Sequence, residues 1–149
     1  MTPDLVDLGE LVADGRLRPQ RVDPVALRAV LDAAEDDLVA AAAVVTTSPS
    51  WAETMLYEAG LRTARVIVQA AGFRIAADRG HVTAIDAADA LTVGVHHRPF
   101  VRLHRMRRMR HEFMYETRHP PSAADLAQAR VDVEVLLVVA AAAIAPATV

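Results

Sequence analysis

The sequence predicts an all-α protein, an up-and-down bundle of four to five helices. Three observations carry that reading. Apolar residues recur at helical spacing, with no strand alternation of useful length and no internal repeat. Alanine, the best helix former, supplies much of the 53% hydrophobic fraction. The segment starts are marked by Asp23-Pro24 and Ser48-Pro49, each an N-cap residue followed by proline at the first helical position.

Taken in order, residues 1–22 form an N-terminal arm with a short helix, Asp4 to Ala13, stopped by Asp14-Gly15, and Arg16 to Val22 as a polar connector. The bundle occupies residues 23–146. Its first helix runs from Asp23 to about Val45, with Val25, Leu27, Val30, Leu31, Leu38 and Val39 as the apolar stripe. The second runs from Ser48 to Gly72, with Trp51, Met55, Leu56, Leu61, Val66 and Val68 among its apolar positions. A loop containing Asp78-Arg79-Gly80-His81 leads to a shorter helix from Val82 to Thr92. A second loop, Gly94 to Pro99, carries His96 and His97. The arginine-rich helix then spans Pro99 to Thr117, His119-Pro120-Pro121 breaks it, and Ser122 caps a last helix reaching Ile144.

A chain of 149 residues with this apolar content is one domain with a real core, not a disordered segment. The absence of cysteine excludes a disulfide framework and thiolate chemistry. The longest apolar stretch, Val135 to Ala145, falls short of the roughly 20 residues that cross a bilayer, and the N-terminus lacks signal-peptide character. No membrane association is expected, and the cytoplasm is the expected address. No phosphate loop or dinucleotide fingerprint is present, and no cofactor is expected. Metal binding by His96 and His97 is not expected either, because adjacent residues point apart and no acid-rich motif accompanies them.

All 16 basic residues are arginine, and the formal net charge is −3. Global charge gives no reason to expect nucleic acid, but its distribution does. Arg98, Arg102, Arg105, Arg107, Arg108 and Arg110 follow one another with no acid before Glu112. A basic stripe of this kind on a mildly acidic protein is an anion site.

At about 100° per residue, Leu103, Met106, Met109, Phe113 and Met114 share one broad face of that helix. Arg110 projects at about 280° from Phe100, between Met106 and Leu103, on the apolar face. An arginine there needs a partner. Two readings stay open together. Arg110 pairs with a core-facing carboxylate, for which Glu58 is the candidate, or it lines a cleft and binds phosphate with its planar fork. Arg105 and Arg108 point to solvent. His111 beside Arg110, and His104 two turns earlier, have the chemistry of a general acid or base for phosphodiester cleavage. The plainer alternative is an exposed histidine on a basic face. His81 reads as a capping or packing residue, and Tyr57 as core.

The stretches Leu56-Tyr57-Glu58-Ala59-Gly60-Leu61-Arg62-Thr63-Ala64-Arg65, Ala71-Gly72-Phe73-Arg74 and Gly80-His81 resemble the second helix and following loop of HEPN domains. Met106-Arg107-Arg108-Met109-Arg110-His111-Glu112-Phe113-Met114-Tyr115 resembles that family's signature helix. The resemblance spans residues 24–142. It implies a helical bundle that forms a homodimer, with signature helices meeting at a cleft between subunits. It further implies a metal-independent endoribonuclease, the toxin partner of a nucleotidyltransferase antitoxin, or a catalytically silent module that binds such a partner or a nucleotide.

The family's ribonuclease motif is an arginine, a polar residue, and a histidine after four to six intervening positions. In the Arg110 register His111 takes the polar position and Tyr115 stands where the histidine belongs. In the Arg105 register His111 is the histidine and Met106 follows the arginine; Arg98 with His104 also fits by count. The Arg110 register is preferred because helix geometry singles out that residue independently. The resemblance thus names Arg110, His111 and Tyr115 as catalytic candidates, and Arg105, Arg107, Arg108 and His104 as RNA- or phosphate-binding ones. A tyrosine, with its ordinary pKa of about 10, is a poor base near neutrality, so cleavage and silent binding remain the two alternatives. In some toxins of the family a nearby tyrosine is nucleotidylated by the partner enzyme, which would make Tyr115 an acceptor.

Overall fold

The computed structural model describes residues 3–115 and 120–144, with the side chains of 111–115 outside the described set. Six helices and two short strands follow in the order α1 (Leu8–Ala13), β1 (Leu17–Pro19), α2 (Pro24–Val44), α3 (Pro49–Ala70), β2 (Phe73–Ile75), α4 (Gly80–Leu91), α5 (His97–Tyr115) and α6 (Ala123–Ile144). The protein is mostly helical, as expected.

The helix starts are where the local chemistry places them. Asp7 accepts from the backbone N–H groups of Gly9 and Glu10 to open α1, and Asp23 accepts from that of Ala26 to open α2 ahead of Pro24. Ser122 accepts from the backbone N–H of Asp125 at 3.0 Å and caps α6. Ser48, by contrast, makes no side-chain cap bond; Pro49 alone sets the entry to α3.

Helix α3 is the hub, packed against α2, α4, α5 and α6. Its burial of Ala52, Leu56, Tyr57, Ala59, Leu61, Ala64, Val66, Ile67 and Val68 wraps more than one face. Helix α2 buries Leu27, Leu31, Ala34, Leu38 and Ala41, a single stripe stepping by four and three residues. Val25 and Val39, expected in that stripe, are 81% and 70% exposed, because each lies about 100° or more from it around the helix. Trp51, expected to pack, is 47% exposed.

Small residues on α3 let its neighbours come close. A Cβ on Gly60 would sit 2.6 Å from Leu103 Cδ1 and 3.5 Å from Val133 Cγ2, so α5 and α6 approach the α3 backbone there. Among the described residues no helix is long and apolar enough to cross a membrane.

The connector expected over 16–22 holds a strand instead. β1 pairs antiparallel with β2, Leu17 opposite Ile75 and Pro19 opposite Phe73, and Leu17 is 1% exposed. Three residues with a single apolar side chain carry no readable alternation. The strand exists because β2, more than 50 positions away, offers backbone partners. Arg16 Nε adds a 2.9 Å bond to Thr83 Oγ1, tying this segment to α4. Leu11 and Leu17 both join the bundle's core.

Helix α5 starts at His97, earlier than expected. Pro99 is in its first turn, where a missing N–H costs nothing. His97 Nδ1 lies 2.6 Å from Asp89 Oδ2 and pins this start to α4. The turn between them puts Val93 at φ 47° and Gly94 at φ 75°. Left-handed backbone strains a β-branched residue, and Val93 is 74% exposed, so packing does not compensate. Replacing Val93 with glycine is expected to raise unfolding free energy by about 0.5–1 kcal/mol, read as a higher urea midpoint at unchanged slope. An unchanged or lower midpoint would contradict the strain.

Candidate anion site on the arginine helix

Helix α5 turns Phe100, Leu103 and Met106 inward and leaves Arg105 and Arg108 exposed on its outer side. Arg107 and Arg110, three residues apart, share a half-buried flank directed at α3 and α4. Arg110 Nε lies 3.3 Å from Glu58 Oε1, and its guanidinium carbon is 5.9 Å from the centre of the Tyr57 ring. The ion pair and the ring contact together explain how an arginine is accommodated on an apolar face. The angle at Nε does not make the 3.3 Å contact a hydrogen bond. Arg107 Nε and Arg110 Nε are both shielded from solvent and, among the described residues, donate to no hydrogen-bond partner.

Tyr57 is the floor of the cluster. It has no exposed surface, and its hydroxyl is 3.0 Å from His81 Nδ1 at the start of α4. Burial, and secondarily the Glu58 carboxylate, push the phenol up to about 12, against the pull of Arg107, Arg110 and Arg65. The phenol therefore keeps its proton, and we assign its buried hydroxyl as the donor to His81 Nδ1, the acceptor it meets among the described residues. Burial, and then repulsion from Arg65, hold His81 below the usual histidine value; Glu58 acts in the opposite sense, and Arg110 and Arg107 lower it further. His81 is thus neutral near neutral pH, and with Nδ1 accepting, Nε2 carries the remaining hydrogen.

Arg65 completes the group. A Cβ on Gly80 would meet Arg65 Nη2 at 4.0 Å and Ile75 Cγ2 at 3.7 Å, so the guanidinium lies against the first residue of α4, beside His81. Three guanidinium groups and the His81 imidazole therefore gather around a buried tyrosine, and among the described residues Glu58 is the carboxylate whose charge is felt by both Tyr57 and His81. Such a set donates hydrogen bonds and stabilises anions.

The remaining sequence-expected residues are distributed elsewhere. His104 Nε2 is 2.7 Å from Asp86 Oδ1, holding α5 to α4 rather than joining the cluster. Arg102 donates through Nε and Nη2 to Asp132 at 2.6 and 2.9 Å, and Gln128 Nε2 adds a third bond to that buried carboxylate. The hydrogen bond to Asp132 raises the Arg102 pKa. His111 and Tyr115 follow Arg110 along α5, and their side chains lie outside the described residues. Among the described residues no group of three or more His, Asp or Glu side chains could hold a metal ion.

Two members of the cluster were not singled out by sequence as site residues, Arg65 and His81. Arg65 belongs to a helix whose period marks it only as a polar position. His81 is 24 residues from Tyr57, and the two meet only because α4 packs on α3. The Gly80-His81 pair was the one local signal. No family model, curated protein or solved structure matches this chain.

Proposed function

We propose that this chain is a HEPN-like helical module that binds RNA or a nucleotide through phosphate at the Arg65, His81, Arg107 and Arg110 cluster. The observation that carries the reading is the gathering of Arg65, Arg107 and Arg110 around His81 and Tyr57, with Arg107 Nε buried and, among the described residues, without a hydrogen-bond acceptor. Buried donors without partners are costly unless something accepts from them. Arg105 and Arg108 are exposed on the outer side of α5 and suit the backbone of a longer strand.

Fluorescence anisotropy with a short single-stranded RNA, at low and physiological salt, tests this. Arg110→Ala is expected to weaken binding by about tenfold or more and to flatten the salt dependence, with the helical circular dichroism unchanged. Wild-type protein that shows no salt-sensitive RNA or nucleotide binding would refute the reading.

A second reading, cleavage, is favoured by one observation: His111 directly follows Arg110 in the sequence of α5. As a metal-independent endoribonuclease toxin the protein would act as a homodimer and be silenced by a nucleotidyltransferase antitoxin. Cleavage of RNA in EDTA, lost in folded Arg110→Ala and His111→Ala proteins, separates this reading from binding alone.

A further inference from the structure

The charge gathered at the cluster bears on the form of phosphate that it would hold. Among the described residues, Arg65, Arg107 and Arg110 supply three positive charges around His81 and Tyr57 and Glu58 one negative, a balance of plus two. A phosphodiester brings one negative charge and a chain that continues on both sides. A phosphomonoester brings nearly two near neutrality and ends there. Tyr57 has no exposed surface and lies beneath the guanidinium of Arg110, so a ligand reaches the cluster from the solvent side. Glu58 repels any anion, but it lies against Arg110 at 3.3 Å, which offsets its charge.

We propose that Arg65, His81, Arg107 and Arg110 form one end-on pocket for the dianionic phosphate of a phosphomonoester, either a mononucleotide or the phosphorylated end of an RNA. The assignment rests on the phosphate-binding reading above and goes beyond it in naming His81 and the class of ligand. The Nε2–H of His81 donates to the phosphate, while Tyr57 holds Nδ1 and fixes the ring.

A measurable consequence follows for protons. In the free site, burial and the three arginines hold His81 below the usual histidine value, and among the described residues Glu58 acts the other way. A bound dianion favours the imidazolium, so its pKa rises on binding. Between the two values the bound state holds more protons than the free state. Binding then takes up protons, and affinity increases as pH falls through that window.

Titration calorimetry of the full chain near neutral pH, in buffers of different ionisation enthalpy, tests the proposal. The probes are AMP, a short RNA with a 5′-phosphate, the same RNA with a 5′-hydroxyl, and sulfate, which has no titrating proton of its own in this range. Expected is binding of AMP or the phosphorylated RNA about tenfold tighter than the hydroxyl RNA, the two arms showing whether a nucleotide or an RNA end is preferred. Sulfate is expected to bind with proton uptake. His81→Gln, which retains an N–H donor but does not titrate, is expected to lose that uptake, and Arg65→Gln to lower affinity for every monoester. Arg28→Ala, on the exposed face of α2, should change neither. Equal affinity for phosphorylated and hydroxyl RNA would overturn the end-on pocket while leaving RNA binding intact. Proton uptake that persists in folded His81→Gln would overturn the role of His81. Absence of binding by all four probes would overturn this inference and the phosphate-binding reading together.

Discussion

Tyr57→Ala is expected to cost about 3–5 kcal/mol of folding free energy, enough to leave a domain of ordinary stability marginal. Tyr57 is a fully buried ring on the central helix, 5.9 Å below the guanidinium of Arg110 and hydrogen-bonded to His81. Removing it opens a cavity and strips the floor from beneath a charged cluster. Tyr57→Phe keeps the ring and loses only the hydroxyl, and should cost about 1 kcal/mol. Urea denaturation of the two variants distinguishes the roles. Equal losses would mean that the bond to His81, and not packing, dominates at this position. In Tyr57→Phe the His81 ring is released from its donor, so anion affinity should drop more than stability does.

The second large effect is expected at Gly60. Its missing Cβ is what lets α5 lie against α3, with Leu103 Cδ1 only 2.6 Å from where that carbon would stand. Gly60→Ala adds one methyl and gains about 1 kcal/mol of helix propensity, and the contact is to the tip of a side chain that can shift. The two terms should nearly cancel. Gly60→Val adds branching against Leu103 and Val133, both buried, and should destabilise by about 1–3 kcal/mol. It should also push α5 outward and weaken anion binding, since Arg107 and Arg110 ride on that helix. Full anion affinity in folded Gly60→Val would show that the pocket tolerates movement of α5.

Arg110 illustrates how far one helix can be read without its neighbours. Helical geometry placed it among apolar residues, which demanded a partner, and Glu58 stands 3.3 Å away. Arg105 and Arg108 read as solvated for the same reason and are exposed. His104 shows where that reasoning stops. Its position on the basic helix suggested phosphate, yet Asp86 on α4 occupies it. Nothing in the spacing of α5 announces which acid on another helix will lie opposite.

The sequence by itself determined the helical class, the caps at Asp23 and Ser122, the positions of four long helical segments, and the basic character of α5. These are local properties: propensity, capping and a period of 3.6 residues act within a few turns of chain. Tertiary structure alone decided that β1 pairs with β2, that His81 meets Tyr57, and that Arg65 joins Arg107 and Arg110 around them. Those contacts join residues tens of positions apart, and they form only when α4 and α5 both pack on α3. Burial beneath that packing is also what keeps Tyr57 protonated and His81 neutral, turning a set of polar residues into a site that donates to anions.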